Sequence, residues 1–156
     1  MKKHFWPVLL LTVALLASLS LPAAAADEET LTELSETLNS INVMMNNLLA
    51  QGFTIEHLEL DTIGLGEAYP IPYRFSPGWE YVIVAVGGPA LADLDLYVFT
   101  EDRELVFGDD AVSRAASIIF KLDELTVYHA VAHAVELEEG YREDLPYYFA
   151  VIIAAR

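Results

Sequence analysis

The chain has 156 residues, with 24 acidic and eight basic side chains and no cysteine. A formal charge of −16 argues against a partner such as nucleic acid or an anionic membrane surface, and the lack of cysteine excludes disulfide bonds and a cysteine-linked lipid anchor. A chain of this length can instead be held together by an apolar core.

The first 26 residues have the pattern of a secretory signal peptide. Lys2 and Lys3 precede an apolar run at residues 8–21, and alanines at 24–26 supply the small residues of a cleavage site. Because this run is shorter than the roughly 18–20 residues of a spanning helix, we predict cleavage after Ala26, which leaves no stable membrane anchor. The remaining 130 residues, 27–156, are then periplasmic or secreted, with six basic and 24 acidic side chains and a formal charge of −18. Such a charge suits divalent cations or basic partners, or a salt-rich medium in which the acids keep the surface solvated.

Residues 27–52 have the periodicity of one amphipathic helix. Gly52 follows it, at the position where a left-handed cap is expected. Two interpretations remain: the apolar stripe packs on its own domain, or residues 31–48 join two chains in an oligomer. Apolar residues recur at intervals of three and four, which places them on one helix face: Leu31, Leu34, Leu38, Ile41, Met45 and Leu48.

From residue 53 the apolar period changes to two, which predicts a β-domain over residues 53–156. Glycines and prolines break residues 64–72 into turns and edge pieces. About seven short strands separated by turn residues predict an all-β fold, an antiparallel β-sandwich preceded by the helix. After an initial strand near residue 55, the expected strands lie at residues 79–86, 94–99, 104–107, 117–122, 127–137 and 147–154.

Small side chains suggest where the helix packs. If the last two predicted strands pair, their alanines form one flat patch, and we predict that the helix docks on it. On this hypothesis the substitution Ala132→Glu releases the helix. The alanines that share a side of each strand are Ala130, Ala132 and Ala134, and Ala150 and Ala154.

One set of strand sequences resembles a known family. The order is Tyr81-Val82-Ile83-Val84-Ala85, then Asp93-Leu94-Asp95-Leu96-Tyr97-Val98, then Leu105-Val106 with Asp109, and finally Pro146-Tyr147-Tyr148-Phe149-Ala150-Val151. Over roughly residues 63–154 this order resembles the bacterial pre-peptidase C-terminal domain. The resemblance implies a jelly-roll-like sandwich outside the cytoplasm that is non-catalytic and, in some members, binds calcium.

The chain departs from that family at two places. The family usually carries Gly or Asn in the turn after the Asp-Leu-Asp-Leu strand, whereas Asp102-Arg103-Glu104 has neither, so we expect a different turn. Residues 124–127 replace the Gly-Thr-Tyr run that usually leads the penultimate strand. Because no peptidase domain is present, the family's usual accessory role does not carry over whole.

Four carboxylates make a candidate calcium site. Asp93 and Asp95 share a strand face with Cα atoms about 6.5–7 Å apart, and Asp109 and Asp110 follow the partner strand of the hairpin. Ca²⁺ takes about six to eight oxygen ligands, so loops must supply more. The alternative is that Asp93 caps a loop and Asp95 faces water.

Other chemistry has less support in the sequence. His129 and His133 lie four apart on a predicted strand, about 13 Å from each other, which is too far to share one metal ion. The chain has no cysteine and no Gly-x-Ser-x-Gly nucleophile motif. Aromatic residues cluster at 69–81 and 141–148, where we interpret them as core rather than as a ligand platform.

We therefore expect an exported, non-catalytic binding or assembly module that recognises a protein or polymer at the cell envelope or exterior. The alternatives are a calcium-dependent structural domain without a separate ligand, and a small hydrolase that uses paired carboxylates.

Overall fold

The structure, a computed structural model, describes residues 28–156 as one helix and eight strands. The predicted signal peptide, residues 1–26, lies outside the described residues. The chain divides into two compact units, residues 1–31 and 32–156, and the described part of the first is the opening turn of the helix. No helix within residues 28–156 is long and apolar enough to cross a membrane. The elements are α1 (Glu28–Ala50), β1 (Thr54–Ile63), β2 (Ala68–Phe75), β3 (Glu80–Gly87), β4 (Leu91–Thr100), β5 (Leu105–Asp109), β6 (Ala115–Lys121), β7 (Thr126–Leu137) and β8 (Tyr147–Ala155).

The strands form two four-stranded antiparallel sheets. The first sheet has the order β1-β8-β3-β6, and the second has the order β2-β7-β4-β5. These are the strand orders of a double-sheet jelly roll, in which each sheet takes strands from both halves of the chain. The predicted all-β sandwich with one N-terminal helix is confirmed.

Strand β2 is the element that the sequence predicted least well. Pro70 and Pro72 predicted only turns and edge pieces, but both lie within an eight-residue strand. Proline is tolerated there because β2 is at the edge of the second sheet, where a missing N–H can face solvent.

The main core lies between the two sheets. Leu94, Leu96 and Val98 of β4 face Phe149, Val151 and Ile153 of β8 across this space, and all six are fully buried. The predicted core role is confirmed for Tyr69, Tyr73, Phe75 and Tyr81 but not for Trp79, which is 52 % exposed. The Phe75 ring lies 4.7 Å from that of Tyr73 and 4.9 Å from that of Tyr81, between centroids.

A second core lies between α1 and the outer face of the first sheet. Ile41 and Leu48 of the helix pack against alternate residues of β3 and β8, which leaves these two central strands buried on both faces. This double burial explains why their sequences are almost continuously apolar. The residues beneath the helix are Val82, Val84, Val86, Ala150, Ile152 and Ala154.

The predicted docking patch for the helix is confirmed for the alanines of β8 and wrong for those of β7. Ala150 and Ala154 do lie under the helix, but β7 and β8 belong to different sheets. Ala130, Ala132 and Ala134 therefore face the core between the sheets, where they are fully buried. A glutamate at position 132 would disrupt the sandwich itself rather than release the helix.

The buried face of α1 is also rotated from the predicted stripe. Thr37 is fully buried and donates its hydroxyl proton to the backbone oxygen of Glu33, at 2.8 Å, so the polar group is satisfied. Leu38, in contrast, is 47 % exposed. The rotation follows from a close approach at Gly88, where an added Cβ would lie 2.6 Å from Thr37 Oγ1 and 2.9 Å from the backbone oxygen of Tyr148.

Candidate functional site

The two aspartates of β4 are the only charged residues buried within the described chain. Asp93 is 5 % exposed and Asp95 is 8 % exposed, although β4 carries its apolar residues on the opposite, core-facing side. The ladder between β4 and β7 is irregular on both sides of Asp93, because the register shifts between Leu91 and Leu94. The two carboxylates are thus held against the outer side of the second sheet.

Asp93 fastens the loop between β5 and β6. Its Oδ1 accepts a hydrogen bond from the backbone N–H of Ser113 at 3.0 Å, while the N–H of Leu94 donates to the Ser113 backbone oxygen at 2.8 Å. This loop-capping role is the one that the sequence offered as the alternative to calcium binding.

Asp95 belongs to a polar cluster with two neighbours. Its Oδ2 accepts a hydrogen bond from the Tyr97 hydroxyl at 2.8 Å and lies 3.8 Å from His133 Nδ1 on the adjacent strand. The hydrogen bond to Asp95, followed by burial and the charges of Asp95, Asp110 and Asp93, raises the pKa of Tyr97 to about 12. Asp95 is therefore buried, and the alternative interpretation, in which it faces water, is wrong for this residue.

Asp109 points away from this cluster. It pairs with Leu96, whose side chain is in the core, and its Oδ2 accepts a hydrogen bond from the Ser117 N–H of β6 at 2.8 Å. Asp109 thus ties the edges of the two sheets together, whereas the charge of Asp110 acts on Tyr97. Across residues 28–156, no group of three or more histidine, aspartate or glutamate side chains is arranged to hold a metal ion.

A groove on the outer face of the second sheet was not predicted from the sequence. It lies beside the turn between β4 and β5 and has a volume of about 500 Å³. Its walls are mainly apolar, and they come from three strands and the turn: Pro70 of β2, Phe99 and Thr100 of β4, Glu101 and Arg103 of the turn, and His129 and Val131 of β7.

Arg103 holds an unusual backbone conformation at one end of this groove. Its φ of 65° lies in the left-handed region, where it is the only residue other than glycine among residues 28–156. Its N–H donates to the Thr100 oxygen at 3.0 Å, and the Thr100 N–H donates to the Glu104 oxygen at 2.9 Å, which closes the turn. Arginine pays about 1–2 kcal/mol for this conformation, which Gly or Asn adopts more easily.

Arg103 and Arg74 differ from the other three arginines of the described chain in that they form no ion pair. Three arginines form ion pairs with nearby carboxylates: Arg114 with Glu138, Arg142 with Asp144, and Arg156 with Glu80. Within the described chain, no ion pair involves Arg103. Its guanidinium therefore remains available to a ligand in the groove.

The two histidines of β7 lie in different surroundings, as their spacing predicted. His129 lines the groove and His133 lies beside Asp95. The sequence offered one signal for the groove, the turn Asp102-Arg103-Glu104 with no glycine or asparagine. Phe99, Pro70 and Val131 gave none, because they are distant in sequence and meet only through strand pairing.

The comparison with known proteins gives no match, either to a protein-family model or to a curated protein.

Proposed function

We propose that this chain is an exported, non-catalytic binding module of the periplasm or cell exterior, and that its ligand occupies the groove beside the β4–β5 turn. The observation that carries the proposal is Arg103, an arginine with a strained backbone at the end of an apolar groove, which forms no ion pair with any of residues 28–156. Strained backbone conformations concentrate at functional sites, where the surrounding structure maintains them for a purpose.

The arrangement of the two sheets supports the choice of surface. Helix α1 covers the outer face of the first sheet, while the groove of the second sheet is open. Phe99 and Val131 offer apolar contact to a chain lying in the groove, and Arg103 and His129 offer hydrogen-bond donors. Mostly apolar walls with a few polar groups are typical of ligand sites.

The ligand class is a protein or polymer of the cell envelope or exterior. The resemblance of residues 63–154 to the pre-peptidase C-terminal domain supports a non-catalytic role outside the cytoplasm. The hydrogen bonds of Asp93 and Asp95 to the Ser113 N–H and the Tyr97 hydroxyl favour a structural role for these carboxylates over hydrolysis.

The test is depletion of the purified protein by insoluble cell-wall sacculi. Phe99→Ala should weaken binding at least about tenfold, because aromatic anchors commonly contribute 2 kcal/mol or more. Arg103→Gly should also weaken it while the fold keeps its stability, since glycine adopts the left-handed conformation without strain. Val135→Ala, on the same strand as Val131 and 41 % exposed, is the matched control.

Two results would contradict the groove as the binding surface: unchanged binding in both groove variants, or an equal loss in the control. If wild-type protein ignores the sacculi, a wall polymer is excluded as the ligand. A photo-crosslinking residue at position 131, compared with one at 135, then tests for a protein partner.

A calcium-stabilised domain is the second candidate. The observation in its favour is that Asp93 and Asp95 bring two negative charges to one side of β4 with little exposure to water. A bound cation would relieve the repulsion between them. On this proposal Asp93 and Asp95 are the central ligands, and Asp110, whose charge acts on Tyr97 beside Asp95, is a further ligand, whereas Asp109 would have to give up its bond to Ser117.

A further inference from the structure

The four edge strands of the sandwich are protected unequally against pairing with another chain. An edge strand presents unpaired N–H and C=O groups, which proteins usually block with proline, short strands or covering groups. Pro70 and Pro72 block β2, and β5 is only five residues long, with an irregular register. On β6, the Ser117 N–H is covered by the Asp109 carboxylate.

Strand β1 is the longest of these four edge strands. It has ten residues and pairs on one side only, with β8. The Thr62 N–H donates to its neighbour Asp61 Oδ1 at 2.8 Å instead of to β8, so the residues in phase with Thr62 turn their backbone groups outward. Leu58 and Leu60 are in this phase, and within residues 28–156 no proline or capping side chain lies at either amide.

Exposed apolar side chains accompany this open edge. Leu58 is 43 % exposed and Leu60 is 38 % exposed, on the face of the first sheet that carries the helix. Thr37 approaches Gly88 on the β3 side. At about 100° per residue, Leu38 and Leu49 lie together on one flank of the helix, about 100–120° around it from Thr37. These two leucines are 47 % and 51 % exposed.

We propose that two copies of this chain associate through β1, which pairs with its two-fold mate in antiparallel fashion and extends the first sheet from four strands to eight. A two-fold interface requires a self-complementary strand, and β1 has a register that meets this condition. With Glu59 on the axis, Leu58 lies opposite Leu60 of the second copy, and His57 lies opposite Asp61, each pair occurring twice.

One contact in this register opposes association of the two copies. Glu59 faces Glu59 of the second copy, and like charges directly opposite each other destabilise a strand pair. Both copies carry a large negative charge, so the dimer should tighten as salt screens the repulsion. The buried face of the helix, which includes Ile41, stays on its own sheet.

The test is the molar mass in solution, by sedimentation equilibrium, of protein purified from a host that expresses the full chain. Leu60→Pro introduces a proline at the β1 edge, like the prolines that already block β2. It should yield a monomer in which β1 still pairs with β8. Leu58→Lys should do the same through charge, and it decides the matter if the proline variant does not fold. Ile119→Lys is the matched control, because Ile119 is 61 % exposed on the same sheet face but on β6.

A further variant separates this register from other dimers. Glu59→Gln removes the one like-charge pair and should tighten the dimer about two- to five-fold. The proposal is overturned if the wild-type protein is monomeric at every salt concentration, if folded Leu60→Pro or Leu58→Lys protein remains dimeric, or if the Ile119→Lys control dissociates as they do. It is also overturned if Glu59→Gln leaves the affinity unchanged or weakens it.

Discussion

At the scale of single residues, the acidic side chains of β4 and β5 act as hydrogen-bond acceptors for the fold. Asp93 accepts a hydrogen bond from the Ser113 N–H, Asp95 from the Tyr97 hydroxyl, and Asp109 from the Ser117 N–H. Hydrogen bonds to charged groups contribute about 1.5–3 kcal/mol, so each carboxylate secures a loop, a ring or a sheet edge.

Tyr97 and Tyr69 should make the stability depend on pH in the alkaline range. Hydrogen bonds to Asp95 and Asp61 raise the pKa of these hydroxyls from 10.0 to about 12. The folded state thus keeps protons that the unfolded chain loses, and the resulting stability, complete below pH 10, falls as the pH rises from 10 to 12. Thermal unfolding should show this fall, and Tyr97→Phe should make it shallower.

Absorbance at alkaline pH provides an independent measurement for the same two residues. Of the eight tyrosines in the chain, Tyr69 and Tyr97 should be among the last to ionise in the folded protein. Tyrosines that all titrate together near pH 10 would contradict the two hydrogen bonds.

At the scale of elements, α1 is a part of the sandwich rather than an independent arm. Ile41, on the side of the helix that faces the first sheet, is 4 % exposed. Glu33 Oε1 accepts a hydrogen bond from the Tyr148 N–H of β8 at 3.1 Å. The Arg156 guanidinium donates to the Gln51 backbone oxygen at 2.8 Å, which anchors the other end of the helix. Both contacts join residues more than 100 positions apart.

Ile41→Asp should release the helix while the two sheets stay folded. A charge at this position is driven out of the apolar layer over β3 and β8, because an unpaired buried carboxylate is strongly unfavourable. Hydrogen–deuterium exchange should speed up across residues 32–50 and change little in β4 and β7. Val43→Asp, at a site that is 52 % exposed, is the control and should leave the exchange unchanged. Equal protection of the helix in both variants would show that it is held elsewhere.

At the scale of the whole molecule, the negative charge has two physical interpretations with different consequences. The 24 acids oppose eight basic residues, and all of the acids lie from Asp27 onward. A solvated acidic surface responds to total ionic strength, because salt screens repulsion between exposed charges. A calcium site at Asp93 and Asp95 responds to one ion at fixed ionic strength.

The melting temperature at constant ionic strength separates these interpretations. If calcium binds, excess Ca²⁺ should raise it by several degrees over chelator, an equal concentration of Mg²⁺ should not, and Asp93→Asn should abolish the shift. If the acids only solvate the surface, Ca²⁺ and Mg²⁺ should act alike and added NaCl should stabilise the protein.

The sequence by itself determined the elements and the class of fold, because hydrophobic periodicity is a local property. Apolar residues at intervals of three and four predicted α1, and apolar residues at intervals of two predicted the β-domain. Turn residues marked the limits of its strands. The resemblance of the Asp-Leu-Asp-Leu strand to a jelly-roll family pointed to the same architecture.

Tertiary structure decided which faces these elements present to one another. Ala132 and Ala150 are both small apolar residues of predicted strands, yet strand pairing places one in the core between the sheets and the other beneath the helix. Strand pairing also brings Pro70, Phe99 and Val131 into one groove and leaves β1 as an open edge. A strand's neighbours are set by contacts between residues far apart in the chain, so no local pattern could specify them.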